Sequence, residues 1–157
     1  MNEHSLIFDL ATEAETAELA VRLGKQLETG DVVLLEGDIG TGKTCFARHL
    51  IQSQQRLTED VPSPSFTLVQ VYDTEPGQIW HADLYRLSSP DDVEELGLSD
   101  AFQTAICLIE WPDRLGELAP EDALLIRFDL GDTETARTLT FSWQDDRWAN
   151  LSKAMTA

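Results

Sequence analysis

Gly37-Asp38-Ile39-Gly40-Thr41-Gly42-Lys43-Thr44 is the stretch from which the rest of the chain can be read. A glycine, four residues and then Gly-Lys-Thr is the spacing of a P-loop. Its flanks fit: Val32, Val33, Leu34 and Leu35 form a short buried-strand run before it, and residues 45–55 carry a helical pattern after it. In a loop of this kind the glycines let successive backbone N–H groups turn inward onto a phosphate. The start of the following helix adds partial positive charge. Asp38, Ile39, Gly40, Thr41, Gly42 and Cys45 are therefore expected to line a nucleotide, with Lys43 on the outer phosphates and Thr44 holding Mg²⁺ through its hydroxyl.

Outward from this loop, residues 5–10 alternate as a half-buried strand does, and Thr12-Glu13-Ala14-Glu15 has the form of a capping box opening a first helix. Leu19, Ala20, Leu23 and Leu27 keep one apolar face through that helix, which Gly30 is expected to end. On the other side, residues 61–67 form a hydroxyl-rich loop kept out of helix by Pro62 and Pro64. Residues 66–72 and 79–87 then read as an antiparallel hairpin about a Pro-Gly turn. Ser89-Pro90-Asp91-Asp92 starts a helix that Gly97 closes. Residues 105–109 are an apolar run typical of a strand buried on both faces. Residues 123–130 and 136–143 form a closing antiparallel pair, followed by a short helix over 145–155. The order predicts an α/β fold: a single P-loop NTPase-like domain over residues 1–157, with a mixed, centrally parallel sheet flanked by helices and antiparallel hairpins.

Charge narrows the function. The chain of 157 residues has 29 Asp and Glu against 11 Lys and Arg, a formal net charge of −18. Nucleic-acid affinity comes from Lys and Arg displacing counterions, and no basic cluster exists here, so stable direct binding of RNA or DNA is disfavoured. Plain solubility or a basic protein partner would each account for the acidity. The apolar runs are too short for a membrane span, and the N-terminus lacks a basic run, which argues against a signal peptide. The two cysteines and three histidines show no metal-ligand spacing, and a reducing cytoplasm is the simplest expected setting.

Hydrolysis needs more than a phosphate cradle: an acid to hold the Mg²⁺ shell and a group to orient water. Glu110 follows the apolar run ending at Ile109 and is the better candidate for the acid after a core strand, since a carboxylate there escapes unpaired burial. Asp83 lies in a strand-like run of large apolar residues. It is either a site acid beside a cation or metal, or a surface-facing strand acid. Lys43, Asp83 and Glu110 are thus the candidate catalytic residues, and Thr44, Glu110 and Asp83 the candidate metal ligands. Ser63, Ser65 and Thr67 either approach the γ-phosphate or form an ordinary polar connection. Trp111 packs in the core, or stacks at the site or on a partner. Asn-Lys-x-Asp, which would read guanine, is absent, so ATP is the expected nucleotide. Arg48, Arg86 and Arg114 are possible charge stabilisers, and without a placed arginine finger turnover is expected to be slow. A small-molecule kinase and a non-hydrolysing ATP-binding module are the alternatives.

With these residues in view, the chain resembles the TsaE (YjeE) family of P-loop ATPases from bacterial tRNA threonylcarbamoyladenosine synthesis. The likeness rests on residues 37–44, Ser-Pro-Ser-Phe-Thr-Leu-Val at 63–69, His-Ala-Asp-Leu-Tyr-Arg-Leu at 81–87 and Cys-Leu-Ile-Glu-Trp-Pro at 107–112. The resemblance implies a cytoplasmic, Mg²⁺-dependent ATPase working with the TsaD and TsaB proteins, while TsaC supplies threonylcarbamoyl-adenylate. It places Lys43, Thr44, Asp83, Glu110 and Trp111 on the family's functional positions, Thr44 and Glu110 at its Mg²⁺ site, and the base beside the segments near Thr12 and Gly131. Two positions depart: Ser65 stands for a usual Thr, and Cys45 replaces a second Thr after the lysine, removing a hydroxyl from the α-phosphate.

Overall fold

The structure, a computed structural model, describes residues 3–55, 60–63 and 68–156. Its frame is a sheet of seven strands in the order β1-β7-β6-β2-β5-β4-β3, formed by β1 (His4–Leu10), β2 (Val32–Glu36), β3 (Val69–Asp73), β4 (Gln78–Asp83), β5 (Ile106–Glu110), β6 (Leu124–Leu130) and β7 (Arg137–Trp143). The middle strands β6, β2, β5 and β4 run parallel, and the outer pairs β1/β7, β7/β6 and β4/β3 run antiparallel. This is the mixed, centrally parallel sheet that the sequence predicts.

Because strand side chains alternate in direction, one strand feeds two cores. Val33 and Leu35 of β2, with Ile106 and Leu108 of β5, pack on one face under α1 (Glu13–Gly24), α2 (Lys43–Gln54) and α5 (Leu151–Thr156). Val32, Leu34, Cys107 and Ile109 face the other way, toward α3 (Pro90–Glu95) and α4 (Leu98–Thr104). Burial pushes the Cys107 thiol up to about 12, so it behaves as a small apolar residue. The register then decides the site: Leu35 pairs with Glu110, and Glu110 with Asp83, so the carboxyl ends of β2, β5 and β4 lie level. Glu110 and Asp83 continue the alternation onto the face that carries α2.

Local chemistry explains most boundaries. Thr12 and Glu15 form the expected capping box, each side chain satisfying the other's backbone N–H. The helix stops at Gly24 rather than Gly30, however. Tight turns follow, from Gln26 N–H to the Leu23 carbonyl and Leu27 N–H to the Gly24 carbonyl, yet Leu27 stays buried and so prolongs the apolar spacing beyond the helix. Strand β4 ends at Asp83 rather than Leu87, because the Asp83 carboxylate accepts the Tyr85 N–H at 3.0 Å and turns the chain away. Ser89 takes the N-cap position of α3 with Pro90 next, as expected. Gly97 both closes that helix and, in a left-handed conformation, opens α4, which the sequence reading missed. The segment after Trp111 winds into short 3-10 turns over Pro112–Leu118, broken by a kink at Gly116. The C-terminal stretch is a 3-10 turn, Asp146–Trp148, followed by α5 rather than one helix. Phe66, expected to open β3, lies outside the described residues.

One polar clamp holds the C-terminal stretch to the frame. Arg147 donates to both oxygens of the buried Asp31 carboxylate at 2.9 and 2.6 Å and to the Gln26 carbonyl at 2.7 Å, with its guanidinium over the Trp148 ring. Replacing Arg147 with Ala leaves a buried carboxylate without its charged donor. The expected loss is about 2 kcal/mol, or roughly 4–8 °C in Tm, read by thermal denaturation.

Candidate functional site

The loop after β2 is held by contacts that only glycine permits. Gly37 has φ 156°, and a Cβ there would fall 2.8 Å from both the Phe128 carbonyl oxygen and Thr41 Oγ1. Gly42 has φ 103° and is the N-cap of α2. Thr41 closes the loop by donating its hydroxyl to the Asp38 carbonyl at 2.8 Å. From across the sheet, Arg137 donates its Nε–H to the Thr41 carbonyl at 3.0 Å. The first free N–H groups of α2 are thereby presented beside the loop, an arrangement that suits an anion.

Lys43 is buried, with Nζ donating to the carbonyls of Gly37 at 2.5 Å and Asp38 at 2.9 Å. The ammonium also lies 4.3 Å from the Trp111 ring centroid. Burial pushes its pKa down, while the nearby carboxylates of Glu110, Asp83 and Asp38 push it back up. Trp111 holds this position in a left-handed conformation, φ 61° and ψ 56°, with Tyr85 against it at 4.8 Å between ring centroids. Trp111 takes two of the placements open to it, packing half-buried against the second core while its ring lies over the lysine at the cavity.

Next to the lysine, the Thr44 hydroxyl sits 2.9 Å from each oxygen of the Glu110 carboxylate. These are hard oxygen donors. Magnesium takes ligands at about 2.0–2.1 Å in an octahedron, which sets neighbouring ligand oxygens roughly 2.9 Å apart, so the pair fits that ion. Glu110 is only 2% exposed and is also bonded to His81 Nε2 at 2.7 Å. Asp83, 5% exposed, stands level with it on the neighbouring strand. The reading of Asp83 as a surface acid is therefore ruled out by its burial.

Lys43, Thr44, Asp83 and Glu110 share one open cavity of about 570 Å³ with Ile39, Gly40, Gly42, Cys45 and Trp111. Arg48, Arg86, Tyr85 and Ser63 also reach it. Arg48 is held there by its bond to the Val61 carbonyl at 2.9 Å; Arg114 does not line the cavity. Asp38 and Thr41 instead line a recess on the other side of the loop, together with Arg127 and Asp129. The start of α1 and the turn before β7 meet at a third cavity of about 230 Å³, lined by Glu13, Thr16, Cys45, Thr135 and Arg137 among others. Burial and the Glu13 carboxylate both push the Cys45 thiol up. Glu13, Cys45 and His49 bring their ligand atoms within 4.8 Å of one another, a grouping the sequence does not show because Glu13 comes from a different helix. Thr67 and Ser65 lie outside the described residues.

Sequence reasoning missed Arg137, whose partner is 96 positions away, and Tyr85, whose ring supports Trp111. It also passed over His81. Apart from its place in the 81–87 block, the signal for His81 was its spacing of two from Asp83, which puts both side chains on one face of a strand.

A family model described as "Threonylcarbamoyl adenosine biosynthesis protein TsaE" matches residues 10–139. The tRNA threonylcarbamoyladenosine biosynthesis protein TsaE of Rickettsia felis is 38% identical over 123 residues, 78% of this chain and 72% of that one. The protein of the same name from Haemophilus influenzae is 36% identical over 141 residues, 89% of this chain and 86% of its own. That of Bacillus subtilis is 33% identical over 144 residues, 90% and 88% of the two chains. The crystal structure of YdiB from Bacillus subtilis superposes with a TM-score of 0.81 at 26% identity, over 99% of this chain and 97% of that one. The family match runs through the loop, β4 and β5, the elements that build the cavity, and the chain belongs to the TsaE family of tRNA threonylcarbamoyladenosine biosynthesis proteins.

Proposed function

We propose that this chain binds ATP with Mg²⁺, hydrolyses it slowly on its own, and acts as a nucleotide-gated partner of the TsaD–TsaB pair in threonylcarbamoyl modification of tRNA, with TsaC supplying threonylcarbamoyl-adenylate. The observation that carries this reading is the convergence of Lys43, Thr44, Asp83 and Glu110 in one cavity at the start of α2. The proposed setting is the cytoplasm; among the described residues no helix is long and apolar enough to cross a membrane.

In this reading the triphosphate lies along the loop from Asp38 to Cys45. Lys43 exchanges the Gly37 and Asp38 carbonyls for the outer phosphates. Thr44 and Glu110, with Asp83 beside them, hold Mg²⁺, which neutralises phosphate charge. Asp83 accepts hydrogen bonds from water and orients it. Trp111 and Tyr85 wall the cavity on one side, and Arg48 and Arg86 offer positive charge on another. The base lies toward Glu13, Thr16 and Thr135, where Cys45 and Arg137 also face. With a net charge of −18, the chain repels tRNA, and contact with the substrate runs through basic surfaces on its partners.

Lys43→Ala is expected to weaken ATP binding about 10- to 100-fold, the worth of a charge-assisted hydrogen bond, and to abolish tRNA modification in a reconstituted system. Wild-type modification by that variant would remove the nucleotide site from the function. Glu110→Ala should still bind nucleotide, because the loop remains, while phosphate release falls by about 10²-fold. Labelled γ-phosphate distinguishes the activities: free phosphate is expected, and transfer to a metabolite would show a kinase instead. Assembly with TsaD and TsaB should weaken as salt rises from about 0.05 to 0.5 M, through screening of the acidic surface. An assembly indifferent to salt would assign the acidity to solubility.

A further inference from the structure

We infer that His81 is the positioning residue for the Glu110 carboxylate, fixing the orientation in which it faces a divalent cation. The inference rests on the reading of a Mg²⁺–nucleotide site given above. His81 is fully buried, and its Nε2 lies 2.7 Å from Glu110 Oε2. A carboxylate that accepts from Thr44 and from the imidazole together places the proton of this bond on Nε2. Nδ1 is buried and finds no hydrogen-bond partner among the described residues. Burying a polar ring with half of its hydrogen-bonding capacity unused is unfavourable. Among the described residues, Glu110 is the only side chain that the imidazole addresses in a hydrogen bond, and an aliphatic residue of similar size would fill the space without that cost.

The symmetry of the Thr44 contact explains why such a residue is needed. Thr44 Oγ1 is equidistant, at 2.9 Å, from Oε1 and Oε2. A hydroxyl with one proton shared between two equivalent oxygens does not fix the plane of the carboxylate, which turns readily about its terminal torsion. A second hydrogen bond, from His81, restrains that rotation. His81 engages Oε2, two residues before Asp83 on the strand that pairs with β5, while Oε1 lies in contact with Thr44. Partners of this kind behind a metal-binding carboxylate typically contribute 10- to 100-fold to metal affinity.

The test compares His81→Gln, whose amide nitrogen can occupy the place of Nε2, with His81→Leu, which fills the volume without a donor. Should the Leu variant fail to fold, His81→Asn, whose shorter amide stops short of Glu110, takes its place. Mn²⁺ is titrated by electron paramagnetic resonance into each protein saturated with a non-hydrolysable ATP analogue, and analogue binding is measured separately in chelator. The expected result is a 10- to 100-fold loss of Mn²⁺ affinity for Leu or Asn, metal-free nucleotide affinity within about twofold of wild type, and substantial recovery in Gln. Unchanged Mn²⁺ affinity in a folded Leu or Asn variant would overturn the inference. Equal losses in the Gln variant would overturn it too, by showing that any change at this buried position disturbs the site. If the wild-type protein binds the analogue but recruits no Mn²⁺, the metal-site reading itself fails and this inference with it.

Discussion

A nearly buried carboxylate at the end of a core strand is the constraint around which this fold is arranged. Desolvating an ionised glutamate costs several kcal/mol unless hydrogen bonds and nearby positive charge compensate it. Glu110 receives Thr44 from the start of α2 and His81 from β4, with the Lys43 ammonium close enough to feel its charge. Those partners come from two elements, Lys43 and Thr44 from the start of α2 and His81 from β4, so the carboxylate is fully compensated only when the sheet and the helix after the loop are both in place. Loss of any one leaves the buried charge less well compensated.

The parallel register of β2, β5 and β4 supplies the precision. Levelling Leu35, Glu110 and Asp83 means that the strand feeding the loop and the strands carrying the acids end together, where a crevice opens outside the sheet. The alternation of strand side chains sends Ile106 and Leu108 into the core beneath α2 and carries Glu110 onto the same side. The residues that stabilise the fold and those that shape the site are consecutive members of one periodic pattern.

Much of this was legible in the chain. The strand before the loop, the helix after it, the capping box at Thr12 and the buried run before Glu110 are local features, each set by spacing within about ten residues. Sequence likeness to the TsaE family also pointed correctly to the family. What could not be read was set at long range or by competition. Leu27 extends an apolar rhythm past the true end of α1 because it packs from a turn. Asp83 ends β4 by bonding forward to Tyr85, a choice made by its own side chain rather than by strand propensity. Strand β6 joins β2 although Glu36 and Leu124, the facing ends of the paired segments, lie 88 positions apart, and neither pattern encodes that partnership. Within the site, Arg137 and His81 escaped notice because their relevance lies in what they touch: a loop carbonyl in one case and a carboxylate on the next strand in the other.

Lys43 rests on the carbonyls of its own loop with an indole above it. A cation so placed is already solvated by the protein. An incoming anion gains only the difference between its own attraction and the bonds given up, and on departure the same bonds re-form without waiting for water. For an anion at this loop the backbone would act as a resident surrogate ligand, a built-in competitor that moderates affinity and eases exchange.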